Sequence, residues 1–327
     1  MTHIEVVLRL NAMGDVLLTI PTLRALAAND TEVHLVINER WKDLTEFLPA
    51  KVHLYKGTTS MISLANELKR LKPESVFDLQ GKLSTIALRT LINAPITRVY
   101  QKRTFGEQLQ ALSRKYPLRL SDSRPVWQKY ADVCGVSIEK PDASLNLSDS
   151  YIDECRKILE TNGLKEKSFI FIHPEASKPG KVMTTEFVKA IQDASPLPTA
   201  IIGTGNSEFS CSAPHLDLRR RFELRLLPGV LSLAKAVISS DSGPMHLARA
   251  VNTPLVAVFL QTDPSLGFSP IPSENTLVIS ESLPCKPCSL HGQNDNCPEG
   301  HFKCRQIDIP KTVKQIFDFL GKLPQPE

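Results

Sequence analysis

Short apolar runs alternate along this chain with segments whose apolar residues recur every three or four positions. IEVVLRL (4–10), VHLVIN (33–38), SVFDLQ (75–80) and RVY (98–100) read as strands. Between them TTSMISLANELKRL (58–71) sets Met61, Leu64, Ala65, Leu68 and Leu71 on one helical face. The polar, turn-rich EKPDASLNLSDS (139–150) reads as a linker, after which the alternation restarts. It runs through a helix (149–163), a strand SFIFIHP (168–174), a helix (184–194) and strands at 199–203 and 236–242. A helix from Gly243 and a strand PLVAVF (254–259) complete it. The repeated strand–helix order predicts an α/β chain of two Rossmann-like, doubly wound domains, residues 1–150 and 151–309. In open parallel sheets ligands sit beyond the carboxyl ends of the strands, so the two domains are expected to face each other across a cleft lined by strand-to-helix loops.

Those loops hold the unusual residues. LRLNAMGDVLLTIPTLRAL (8–26) passes from strand to helix through a single glycine, Gly14, followed by an acid, Asp15. Asp15 reads either as a helix cap or as a base, and Pro21 predicts a short turn before the main helix. In the second half VISSDSGPMHLARA (237–250) runs into Asp241, Ser242, Gly243, Pro244 and His246. The amides and dipole of such a helix start favour an anion, although Asp241 or Ser242 could simply cap it. Lys178 and Lys181 follow the strand that ends at His173, and a lysine there can neutralise a diphosphate. Gly203 and Gly205 form part of a dinucleotide fingerprint without its third glycine, and Glu208 reads either as a holder of ribose hydroxyls or as an ordinary residue of a helix first turn.

Seven cysteines divide into scattered Cys134, Cys155 and Cys211, read as core, and Cys285, Cys288, Cys297 and Cys304. The latter four, spaced CKPC…CPEGHFKC, suit a structural zinc, with unliganded thiols as the alternative. No Asp-x-Asp, P-loop lysine motif, Gly-x-Ser-x-Gly or His-Glu-x-x-His occurs. The net charge of +4 is too small to point to nucleic acid. Local charge is less even: Arg98, Lys102, Arg103, Arg114, Lys115, Arg119 and Arg124 face only Glu107 and Asp122 between residues 98 and 124. That run is a solvated face or a surface for an anionic partner. No secretion signal and no run of roughly 18 apolar residues is present, which predicts a cytoplasmic protein.

Taken in order, the motifs at 8–26, 77–89 (FDLQGKLSTIALR), 171–181 (FIHPEASKPGK), 239–250, 259–264 (FLQTDP) and the cysteine tail resemble the ADP-heptose:lipopolysaccharide heptosyltransferases, glycosyltransferase family 9. The resemblance implies a GT-B fold whose first domain binds acceptor and whose second binds donor. It also implies a C-terminal helix, within 310–327, that packs back on the first domain. The implied reaction is an inverting, metal-independent transfer of heptose from a nucleotide sugar to a lipopolysaccharide-core acceptor at the inner membrane face. Asp15 is then the base and Lys181 the lysine at the diphosphate. His173, Ser177, Gly203, Glu208, Asp241, Ser242, Gly243 and His246 fall on the donor side. Asn11, Met13, Gly14, Gln80, Lys102 and Arg103 fall on the acceptor side. The chain departs from the family pattern at Glu175, where glycine is usual, at Val182 and Met183, where an aromatic residue is common, and at Gln261, where Gly-Pro is usual. A nucleotide-sugar epimerase and a non-catalytic nucleotide-sugar-binding protein share this outline.

Overall fold

The computed structural model describes residues 3–28, 30–101, 105–112, 120–205, 209–292, 297 and 299–323. Its contacts divide the chain into two units, Met1–Thr104 with Arg124–Asn146, and Phe105–Ser123 with Leu147–Glu327.

The first unit begins β1 (His3–Leu8), α1 (Met13–Leu17), α2 (Ile20–Ala27), β2 (Thr31–Asn38), β3 (Lys51–Tyr55) and α3 (Met61–Arg70). It continues β4 (Ser75–Asp78), α4 (Leu83–Ile92) and β5 (Ile96–Val99). After α5 (Phe105–Leu112), which belongs by its contacts to the second unit, α6 (Val126–Cys134) closes the first. The strands form one sheet in the order β3-β2-β1-β4-β5, parallel at every pairing. The helical face read from the sequence at 58–71 is the one that packs: Met61, Leu64, Ala65 and Leu68 meet Val6, Leu8, Val36 and Val76 in the core. Pro21 does divide the opening segment, since α2 starts beside it after the single turn of α1.

The second unit comprises α7 (Asp149–Thr161), β6 (Ile170–His173), α8 (Thr185–Ala194), β7 (Thr199–Ile201), β8 (Leu216–Asp217) and α9 (Leu227–Ser232). It ends with β9 (Ala236–Ser240), α10 (Gly243–Ala250), β10 (Leu255–Phe259), β11 (Thr276–Ser280) and α11 (Ile309–Lys322). Its sheet runs β11-β10-β9-β6-β7-β8, again parallel. β6, β9 and β10 are buried along their whole length, which is why they read as continuous apolar runs. The helices start where short polar side chains can take their first amides: Ser148 accepts from Tyr151 N at 3.3 Å and Thr184 from Phe187 N at 3.2 Å.

The last helix, α11, packs on elements of the second unit. Val313 and Ile316 join that unit's core, and the helix lies on α8 and β11. Its apolar stripe is covered there, while Asp308 caps its start by accepting from Lys311 N at 3.1 Å.

Candidate active site

In the first unit the chemistry gathers beyond β1 and β4. Arg9, one residue past β1, is buried, and its guanidinium lies 5.5 Å from the centre of the Tyr130 ring. It donates to Leu79 O at 2.5 Å and pairs with Asp15 Oδ2 at 2.5 Å. The same Asp15 oxygen accepts from Ala12 N at 2.9 Å, so Asp15 serves the start of α1 as well as the arginine. Its other oxygen, Oδ1, is buried without a hydrogen-bond partner among the described residues, and so is Asn11 Oδ1. Buried polar atoms are nearly always paired. Two such acceptors on one loop leave it with capacity for hydrogen-bond donors.

The loop is held from β4. Asp78, fully buried, accepts from Gln80 N at 3.0 Å and Gly81 N at 2.8 Å, with Arg89 3.3 Å from its second oxygen. Gln80 Oε1 in turn accepts from Asn11 N at 2.9 Å. Asn11, Met13, Gly14, Asp15 and Gln80, all picked out from the sequence, thus lie on one hydrogen-bonded assembly. Arg9, Asp78 and Arg89 were missed. The signal was present: a charged residue inside LRL and another inside SVFDLQ contradict a buried strand unless each has a partner.

In the second unit β6, β9 and β10 end together. His173 closes β6, and burial pulls its pKa down to about 4, leaving a neutral imidazole. Its Nδ1 is 3.1 Å from Ser242 Oγ, which also donates to Ser240 O at 3.0 Å. Ser242 stands at the N-cap of α10 without bonding its amides, so the helix start is not closed by its own cap. Lys181 Nζ lies 2.7 Å from Asp241 Oδ2, which also accepts from Thr262 Oγ1 at 2.7 Å. Gly243 begins α10, and His246 is buried within its first turn.

Lys181 is supported by a segment that sequence reading kept apart from the site. Gly180 N donates to Gly292 O at 2.9 Å and Gln261 N to Gly180 O at 3.0 Å. A Cβ at Gly292 (φ +70) would fall 2.7 Å from Lys181 Cγ, so the lysine stem lies against bare backbone. Gly292 belongs to the cysteine segment. There Cys288 and Cys304 are buried, and the Cys288 thiol is pushed up to about 11 by burial and by the charges of Cys304, Cys285 and Cys297. Lys286, its ammonium pKa lowered by burial, donates to Ser280 Oγ at 2.7 Å and faces Asp263 Oδ2 at 3.6 Å. Among the described residues no group of three or more His, Cys, Asp or Glu side chains is set to hold a metal ion. Of the remaining expected residues, Ser177 is exposed on the loop before Lys181 and Gly203 abuts Glu175. Lys102, Arg103 and Glu208 lie outside the described residues, as do Arg114, Lys115 and Arg119 of the basic run.

The profile of glycosyltransferase family 9 (heptosyltransferase) matches residues 205–297. Lipopolysaccharide heptosyltransferase 1 of Campylobacter coli is 22% identical over 290 residues, 77% of this chain and 82% of that protein. Among solved structures, a family 9 glycosyl transferase from Veillonella parvula DSM 2008 superposes with a TM-score of 0.74 at 20% identity, covering 98% of each chain. The E. coli ADP-heptose lipopolysaccharide heptosyltransferase II gives 0.72 at 16% identity, covering 98% of this chain and 99% of its own. This chain shares the fold of these neighbours, with two α/β units each built on a parallel sheet.

The buried imidazole makes stability depend on pH. Between pH 6.5 and about 4 the unfolded chain takes up a proton at residue 173 that the folded chain refuses. Stability is therefore lost as pH falls through that window, by about 3 kcal/mol once it is crossed. His173→Asn is expected to flatten this part of the pH–stability curve in urea unfolding; parallel curves for the two proteins would rule out a neutral buried His173.

Proposed function

We propose that this chain is a glycosyltransferase of family 9 that moves heptose from ADP-heptose onto a lipopolysaccharide-core acceptor with inversion. The observation that carries the reading is the division of labour between the two oxygens of Asp15. Oδ2 is saturated by Arg9 and Ala12 N, and Oδ1 is buried without a partner. An inverting transfer needs one base to take the proton of the attacking hydroxyl. Arg9 fixes which oxygen is offered, and Oδ1 takes that proton as the acceptor oxygen bonds to the anomeric carbon. Asn11 Oδ1, the second orphan acceptor, receives another hydroxyl of the acceptor sugar. The bond from the anomeric carbon to the diphosphate oxygen breaks in the same step, and its electrons leave with the diphosphate. Lys181 and the start of α10 stabilise that charge. Ser242 and neutral His173 complete the donor loop without adding charge.

The acceptor is a glycolipid, and the reading includes peripheral contact with an anionic membrane. Support comes from α4, whose outer side exposes Leu83 (85%), Ile86 and Leu91 beside Lys82. A surface helix normally presents polar residues outward. No described helix is long and apolar enough to cross a membrane. For Cys285, Cys288, Cys297 and Cys304 we propose a structural zinc beneath the Lys181 loop. Four cysteines of this spacing, with the Cys288 thiol raised by burial and by the other three, are the kind of set a cation relieves.

Asp15→Asn is expected to lower kcat about a thousandfold while ADP binding is unchanged. Product analysis with ADP-heptose and heptose-free core acceptor reads this, and transfer by Asp15→Asn at the wild-type rate would sink the assignment. Donor turnover without acceptor would mark an epimerase instead. Leu83→Glu is expected to reduce flotation with phosphatidylglycerol vesicles relative to wild type; equal flotation removes α4 from the contact. Metal analysis of the purified protein is expected to find one zinc per chain, lost in Cys288→Ser, whereas protein purified metal-free and equally stable refutes the site.

A further inference from the structure

The glycine loop after β7 is the feature that the reaction leaves unexplained. Sequence reading took Gly203 and Gly205 as part of a dinucleotide fingerprint, and in such loops the amides cradle an anion. Those amides already hold one. The Glu175 carboxylate, 5% exposed, accepts from Thr204 N at 2.6 Å, Thr204 Oγ1 at 2.8 Å and Gly205 N at 3.0 Å. The opposite side of the loop is closed by Arg220. Its backbone N donates to Gly203 O at 2.9 Å, its Nε to Thr204 O at 2.6 Å and its Nη2 to Gly205 O at 3.2 Å. Both glycines are required by this closeness as well as by their positive φ (+151 and +77). A Cβ at Gly203 would lie 2.6 Å from Glu175 Oε2, and one at Gly205 would lie 2.6 Å from Arg220 Nε. Glu175 is tied to the rest of the site through its own carbonyl, which accepts from Ser240 Oγ at 2.5 Å, next to Asp241.

We propose that Glu175 and Arg220 are positioning residues of the donor site, a carboxylate–guanidinium clamp that fixes the 203–205 loop and makes it a surface for the uncharged nucleoside rather than for the diphosphate. An internal carboxylate on these amides repels a second anion, and that leaves the diphosphate to Lys181 and α10. The loop's carbonyls and two of its amides are used within the protein, so it meets the nucleoside already set in shape. Preorganisation of this kind raises affinity by removing the cost of ordering a glycine loop on binding. The departure at Glu175 from the family's glycine is thus a device for building the donor site from within.

The inference rests on the donor assignment made above, and calorimetric titration with ADP separates the two. Wild type that binds none of ADP, UDP or GDP fails the donor assignment itself. With wild type binding ADP, Glu175→Ala is expected to weaken ADP roughly tenfold, the loss of charge-assisted bonds to the loop. The kcat at saturating donor should stay within about twofold, because the clamp touches no reacting atom. Acetate titrated into Glu175→Ala should restore ADP affinity by refilling the amides, and should leave wild type unchanged. Arg220→Met, at an exposed position, should weaken ADP in the same direction without acetate rescue, and it carries the test should Glu175→Ala not fold. ADP affinity equal to wild type in the folded variants overturns the clamp, as does a loss in Glu175→Ala that acetate leaves untouched.

Discussion

Both sheets of this protein are parallel at every pairing, and that constraint governs where its chemistry can be. A central strand of such a sheet is buried on both faces, so charge is confined to the strand ends. The buried polar residues of the two sites follow that rule closely. Arg9, Asp78, His173 and Asp241 each stand at the last residue of a strand or one beyond it. Each is met there by a partner from a different element: Asp15, Arg89, Ser242 and Lys181. An unpaired charge at these depths would cost several kcal/mol, so the loops are shaped by the partners they must deliver.

Much of the fold was legible because its principal strands are apolar runs of two-sided burial and its helices carry a clear stripe. IFIH, AVISS and LVAVF could hardly be anything but central strands once helices flank them. The edges were harder to read. β3 has Lys51 exposed and only Tyr55 fully buried, and β8 is two residues long, so neither carries a pattern to find. The helix α11 shows the other limit: its stripe announced that it packs, but a stripe does not name its surface. Val313 and Ile316 fit the core beside α8.

The site residues were legible as types and opaque as pairs. Gly-Asp after a strand and Asp-Ser-Gly-Pro before a helix are local signals with local causes. The contacts that give them meaning span long stretches of chain: Lys181 to Asp241, Gly180 to Gly292, Glu175 to Thr204. The clearest case is Glu175, which as a letter in FIHPEASKPGK looked like a departure from a pattern. In the fold it is the best-bonded carboxylate of its loop, because the amides it fills come from another strand end.

The resting partnership of Lys181 has a consequence for the end of the catalytic cycle rather than its beginning. In the proposed reaction the donor diphosphate shares Lys181 with Asp241, which also accepts from Thr262. Once the sugar has gone, the spent nucleotide holds the lysine against a resident competitor only 2.7 Å from the lysine's resting place. Asp241 therefore weakens donor and spent nucleotide alike, a uniform loss that does not touch the barrier itself. What it gains the protein is turnover: the more tightly a leaving group must be stabilised, the more an enzyme benefits from an anion of its own to evict it.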